Sequence, residues 1–153
     1  MPRKDPKDPV IATNRKALHD YVVQERFEAG ISLAGTEVKS CRERLVQLGE
    51  SFARIERGEA LVYNLHIAAY GFGNRFNHEV RRPRRLLLHK KEILKLGQWL
   101  GSKGGTLIPL KMYFKQGLVK LELAYCIGKT HGDQREDIRR READRGIRRA
   151  LKK

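Results

Sequence analysis

The densest chemistry in the chain is Arg81-Arg82-Pro83-Arg84-Arg85, followed by Lys90 and Lys91: six cations between positions 81 and 91 with no acid among them. Pro83 favours extended backbone, which spreads the guanidinium groups along a path instead of clumping them on one helix face. Arginine grips phosphate through two parallel N–H donors, so the stretch suits a polyanion. A solvated basic face ahead of a helix is the other reading. Just upstream, Gly71-Phe72-Gly73-Asn74-Arg75-Phe76-Asn77-His78 mixes glycine, two aromatics, amides and a cation. That composition fits stacking on unpaired bases, or an ordinary loop with Phe72 and Phe76 partly buried. Its Gly-x-Gly has no third glycine and opens no helix, which argues against a dinucleotide loop.

Catalysis finds no comparable support. The histidines are His19, His66, His78, His89 and His131. No two stand at i, i+4, none forms HExxH, and no cysteine joins them at zinc-ligand spacing. There is no GxSxG elbow. Glu25, Glu28 and Glu37 flank the apolar run Ala29-Gly30-Ile31-Ser32-Leu33. On a basic surface such carboxylates can accept hydrogen bonds from base amino groups or 2′-hydroxyls and orient neighbouring arginines. The chain is read as non-enzymatic, without metal or cofactor. Cys41 and Cys126 are read as two free thiols.

These residues sit in a chain of 153 residues and 17.7 kDa, with 33 Lys plus Arg against 18 Asp plus Glu, a net charge of +15 and a pI near 10.2. So much charge on so short a chain repels itself unless a polyanion neutralises it. Nucleic acid is the leading partner, an anionic membrane the second. No run approaches the roughly 18 to 20 apolar residues of a membrane span, and the N-terminus lacks a signal-peptide core. The expectation is a cytoplasmic protein.

The charge divides unevenly. Residues 1–13 carry +1 and three of the five prolines, and are expected to be a disordered arm with neither helix nor sheet. Residues 14–128 carry +9 and nearly all the apolar mass, enough for one core. Residues 129–153 carry +5 from ten basic and five acidic residues.

The central segment alternates with strand period. His19–Phe27 places Tyr21, Val23 and Phe27 on one face. Ser51–Ile67 reads as a hairpin turning at Arg57-Gly58-Glu59, with Leu61, Tyr63, Leu65 and Ile67 in one row. Thr106–Ile127 reads as a second, turning at Lys115-Gln116-Gly117. Ile108, Leu110, Met112 and Phe114 form a row there, and Val119, Leu121, Leu123 and Tyr125 another. Pro109 lacks a ladder donor, so its strand is expected to lie at an edge or begin there. Helices are expected over His89–Leu100, ended by Gly101 to Gly105, and around Glu28–Ala34. About six strands and two helices predict a mostly β fold, a small closed antiparallel barrel, because closure removes exposed edges.

The tail pairs Glu136 with Arg140, Asp137 with Arg141 and Asp144 with Arg148 at i, i+4, but its apolar stripe is thin and Gly146 interrupts it. It is expected to become helical only on an anionic partner.

Several segments then match one family in order. Asn14-Arg15-Lys16-Ala17-Leu18-His19-Asp20-Tyr21 is followed by Phe27-Glu28-Ala29-Gly30-Ile31 and Gly35-Thr36-Glu37-Val38-Lys39-Ser40-Cys41-Arg42. Next come Gly73-Asn74-Arg75-Phe76-Asn77-His78, Arg82-Pro83-Arg84-Arg85-Leu86-Leu87-Leu88-His89-Lys90 and Gly105-Thr106-Leu107-Ile108-Pro109-Leu110. Val119-Lys120 and Gly128-Lys129 end the series. The chain resembles the SsrA-binding proteins, also called small protein B, from Asn14 onward. The resemblance implies an OB-like antiparallel barrel with flanking helices, acting as a monomer on no membrane. It implies binding to the tRNA-like domain of transfer-messenger RNA, standing in for the missing anticodon arm. The stalled 70S ribosome and its small-subunit rRNA are the second partner, the tail entering the empty messenger channel and decoding centre as a helix. On that basis the RNA role falls to Asn14, His19, Glu28, Lys39, Arg42, Arg84, Arg85 and Lys120. The ribosomal role falls to Lys129, His131, Asp133, Arg135, Arg139 and Arg141. The tail departs from the family pattern at Thr130 and Gln134, where the family has lysines, and at Gly132, where an aromatic residue or histidine often stands. A small basic ribosomal or ribosome-assembly protein is the alternative.

Overall fold

The computed structural model describes residues 9–70 and 78–128. The chain runs β1 (Val10–Thr13), α1 (Arg15–Asp20), β2 (Tyr21–Ile31), α2 (Gly35–Arg42), β3 (Val46–Gln47), β4 (Phe52–Glu56) and β5 (Glu59–Tyr63). It continues through β6 (His66–Ile67), β7 (Arg84–Leu87), α3 (Lys90–Lys103), β8 (Thr106–Lys115) and β9 (Leu118–Gly128). Seven strands form one antiparallel sheet in the order β1-β8-β4-β5-β7-β2-β9, with a further β8–β9 pairing; β3 and β6 pair separately.

Both hairpins turn where expected. Arg57-Gly58 and Gln116-Gly117 are two-residue loops whose residues all have positive φ, between 51° and 77°, the type I′ geometry that matches strand twist. The row Val119, Leu121, Leu123 and Tyr125 lies on the main core face, against Phe27, Ala29, Val62, Leu86, Leu96 and Leu107. Helix α3 covers this core with Leu96, while Trp99 tilts against Phe27 and Tyr125 at centroid distances of 6.4 and 5.2 Å. It runs through Gly101 to Lys103 and ends at Gly104-Gly105, later than the glycine run suggests. Gly105 has φ +89°, and a Cβ there would stand 2.7 Å from the Cys126 carbonyl, so only glycine fits.

Other expectations change, each for a local reason. Val10–Thr13 is a strand, not part of a structureless arm: it pairs with β8 through Ala12↔Met112 and Thr13↔Lys111. The segment around Glu28–Ala34 does not form a helix. Residues 28–31 end the long β2, paired to β9 down to Gly30↔Lys120, and the helix begins at Gly35. His19 belongs to α1 rather than to a strand. In β5 the buried row is Ala60 and Val62, while Leu61 and Tyr63 face outward; Leu65 and Ile67 return inward after Asn64, whose φ is +57°.

Two bulges divide the remaining rows. Gln24 interrupts β2 between Val23↔Cys126 and Glu25↔Tyr125, and Leu110 interrupts β8 between Pro109↔Leu123 and Lys111↔Glu122. Each bulge exchanges the strand's two faces. Met112 and Phe114 therefore join the main core, whereas Ile108 and Leu110 form a second cluster under α1 with Ala17, Ala124 and Cys126. Pro109 is on neither an edge nor a strand start. It sits at the bulge of a central strand, where its missing N–H leaves no ladder bond open.

Candidate nucleic-acid interface

On the outer face of β2, β9 and β8, alternation places Glu28, Lys120 and Tyr113 side by side. Gly30 opposes Lys120, and Lys120 opposes Tyr113 across the next ladder. Glu28 accepts hydrogen bonds from the Tyr113 hydroxyl at 2.5 Å and from Lys115 Nζ at 3.1 Å. The Tyr113 hydroxyl and the Lys115 ammonium hold the Glu28 carboxyl below its usual range, Lys120 adding to the attraction. Burial and the Glu28 acceptor push the Tyr113 hydroxyl upward, so it stays a donor. Arg26 and Glu122 form an ion pair at 3.1 Å on the same face, and Lys111 lies over the Tyr113 ring at 5.5 Å.

Beside Lys120 is a shallow apolar depression of about 200 Å³, lined by Gly30, Leu33, Val38, Leu87 and Leu118. Leu87 and Leu118 are 54% and 60% exposed. A Cβ on Gly30 would come within 3.2 Å of Leu87 Cβ, so glycine leaves the floor open. The face thus offers a fixed carboxylate, cations and an apolar ledge, which suits a folded RNA surface with both sugar edges and phosphates on display.

The anticipated residues divide clearly. Glu28 and Lys120 are brought together. His19 is exposed at the end of α1, its Nδ1 3.0 Å from Asp20. Arg85 is exposed on β7, 3.7 Å from Glu59. Lys39 and Arg42 are exposed on α2, with Lys39 over the Tyr70 ring at 5.4 Å. No hydrogen bond, ion pair or ring contact joins either of them to Glu28 or Lys120.

Two of the anticipated residues are buried, with their polar atoms engaged inside the protein. Asn14 is buried: its Oδ1 caps α1 by accepting from the Ala17 N–H at 3.1 Å, and its Nδ2 donates to the Leu48 and Pro109 carbonyls. Arg84 is fully buried, its Nε donating to Glu37 and its terminal nitrogens to the Leu65, Arg82, Glu79 and Val80 carbonyls. With these donors spent internally, Arg84 cannot reach a phosphate. Arg82 also donates to Glu37, so the run of arginines is in good part an internal brace. Gly71 to Asn77 and the tail residues Lys129, His131, Asp133, Arg135, Arg139 and Arg141 lie outside the described residues.

Tyr113 and Lys115 were missed by sequence reasoning because their partner Glu28 stands 85 and 87 residues away in the chain. Lys111 and Tyr113, flanking Met112, were the available signal. Among the described residues no three His, Cys, Asp or Glu gather into a metal site, and no helix is long and apolar enough to cross a membrane.

The SmpB protein family profile matches residues 11–153. The SsrA-binding protein of Caldanaerobacter subterraneus subsp. tengcongensis is 54% identical over 143 residues, covering 94% of this chain and 90% of that protein. That of Geobacillus kaustophilus is 50% identical over 152 residues, covering 99% and 97%. A solved structure described as "tmRNA-SmpB: a journey to the center of the bacterial ribosome" superposes with a TM-score of 0.67 at 46% identity, covering 86% of this chain and 96% of that one. On a profile match spanning nearly its whole length, the chain belongs to the SmpB family of SsrA-binding proteins.

Proposed function

We propose that this protein is a non-catalytic, cytoplasmic factor of trans-translation that binds transfer-messenger RNA and carries it to stalled ribosomes. The observation that carries the reading is the Glu28–Tyr113–Lys115 cluster beside Lys120, a preset polar face on a chain of this family. Folding sets the carboxylate and its donors before RNA arrives, so little side-chain entropy is lost on binding. Arg85 adds an exposed cation and His19 an exposed polar ring; Asn14 acts through α1 by fixing the helix that carries His19.

The pairings β8–β4, β4–β5, β5–β7, β7–β2, β2–β9 and β9–β8 form a circuit, which supports a closed, OB-like barrel for residues 14–128. The strand β1 and the barrel together form the RNA-binding domain. The tail, 129–153, with its net charge of +5, serves the ribosomal side, entering the empty messenger channel of the small subunit as a helix.

Recovering the RNA that co-purifies with the full chain tests this. A single small RNA with a tRNA-like acceptor end is expected to dominate. Bulk ribosomal RNA in its place supports the ribosomal-protein reading.

A further inference from the structure

We propose that a groove on a different face, between α1 and the β4–β5 hairpin, is a second RNA contact that receives one unpaired nucleobase. The inference rests on the RNA-binding reading above, and the site is built from other residues.

Phe52 and Tyr63 are cross-strand partners whose rings stack at 5.5 Å with 18° between their planes. The Arg54 guanidinium lies over both, 5.1 Å from the Phe52 centroid and 5.7 Å from that of Tyr63. Arg54 is exposed, and no carboxylate among the described residues pairs with it. Tyr63 is itself anchored by donating its hydroxyl to Glu56 at 2.8 Å. The result is a planar cation pinned on two rings with its outer surface open. Arginine planes and aromatic rings are what proteins use to stack unpaired bases.

The groove beside this platform measures about 460 Å³ and is lined by Lys16, Asp20, Glu50, Arg54, Asn64 and Thr106 among others. Lys16 is already neutralised by Glu50 at 3.1 Å. Its charges therefore balance, unlike those of a phosphate track. Its carboxylates and amide suit the edge of a base, with amino donors and ring acceptors. The groove's wall at Gly49, Glu50 and Asn64 also lines an adjoining depression of about 420 Å³ that reaches Arg81 and His66. There the His66 Nδ1 is buried without a hydrogen-bond partner among the described residues, a spare polar group beside an exposed arginine. None of these residues belongs to the Glu28–Lys120 face, so both faces can be occupied at once.

The test uses the full chain, free and saturated with an unlabelled transcript of the tRNA-like domain, with a short fluorescent oligoadenylate as probe. The probe is expected to bind the saturated complex. Arg54→Ala is expected to weaken that binding about tenfold, the typical worth of one base stack. Arg54→Lys keeps the charge but loses the plane, and should weaken it comparably, while both variants still bind the transcript as the parent does. Competition by small ribosomal subunits assigns the base to ribosomal RNA; competition by full-length transfer-messenger RNA assigns it to the remainder of that molecule. Equal probe affinity for parent and both Arg54 variants, or no probe binding to the parent complex, overturns the proposal. If the transcript itself fails to bind, the primary reading fails. The Arg54 comparison then runs on free chain carrying Lys120→Ala, and still decides this one.

Discussion

Glu37, the third residue of α2, and Arg84, on β7, form an ion pair in which both side chains are wholly excluded from solvent. The Glu37 carboxylate also accepts the Ala34 N–H at 2.8 Å and the Arg82 guanidinium. This brace ties α2 to the strand that precedes α3. Removing Glu37 leaves the Arg84 charge in the core without its carboxylate, and removing Arg84 leaves Glu37 with Arg82 alone among the described cations. Arg84→Ala or Glu37→Ala is therefore expected to cost about 3–5 kcal/mol, read as a lower denaturant midpoint. Arg84→Met should not rescue stability, because four carbonyls lose their donor as well.

The same pair sets an acid limit. Burial works to raise the Glu37 carboxyl, but the Ala34 N–H and the two guanidiniums outweigh it, leaving the group below its ordinary 4.5. A carboxyl lowered on folding adds stability that is fully present above its unfolded value and lost as pH falls through the folded one. The unfolding free energy should thus be nearly flat in this respect above about pH 5 and fall below about pH 4.5. In Glu37→Gln that acid slope should shrink, as urea titrations across the range will show.

How far the sequence speaks is clearest at Arg84 and Arg85. Both sit in one basic run, and composition alone assigns both to RNA. Strand period separates them, since Arg84 and Leu86 point inward while Arg85 and Leu87 point outward. The acid that justifies burying Arg84 stands 47 residues away, so its choice is a fact of tertiary structure. The hairpins, the helix α3 and the Val119–Tyr125 row were legible because each depends on near neighbours. The bulges at Gln24 and Leu110 were not. A bulge adds one residue without altering composition, and Pro109 was its one local trace.

The two arginines should consequently behave differently toward RNA. Arg85→Ala is expected to keep the melting temperature and weaken binding in a sequence-tolerant way, since phosphate contacts position without specifying. Lys120→Ala should also keep the fold. It is expected to flatten the dependence of log K on log salt by about 0.7 to 0.9, the contribution of one phosphate contact. Filter binding across a salt series measures both. Unchanged affinity and slope for Lys120→Ala remove it from the interface.

Asn14 is predicted to act indirectly. Asn14→Ala removes the cap of α1 and the donor to two buried carbonyls, a loss of about 1–3 kcal/mol. Asn14→Asp keeps the capping oxygen but not the Nδ2 donor, so it should recover only part of that stability. RNA affinity should follow the stability of α1 in both variants, tracked by the position of the His19 resonances. A full loss of binding with an unaltered melt would make Asn14 a direct contact instead.

The thiols offer an independent reporter. Burial pushes Cys41 up to about 12 and Cys126 up to about 11, and only a thiolate alkylates readily. The native protein is expected to resist iodoacetamide at neutral pH, and both cysteines to react on unfolding in urea. Rapid alkylation of Cys126 in the native state would show that the cluster under α1 opens on its own.

The last prediction concerns residues 129–153, which carry ten basic and five acidic residues with few apolar ones. So charged a segment is expected to add nothing to a hydrophobic core. A chain ending at Gly128 is therefore expected to keep its thermal melt and its affinity for the tRNA-like RNA. It should still fail to support tagging on stalled ribosomes, for want of the segment assigned to the messenger channel. Charge and helix are separable here. Ile138→Pro and Ile147→Pro leave the net charge unchanged, while proline inside a helix costs about 3 kcal/mol. Loss of tagging with either variant means that an induced helix is required. Retained tagging means that the tail works as an extended cation. Normal tagging by the truncated chain would withdraw the ribosomal role from the tail and favour a ribosomal or assembly protein.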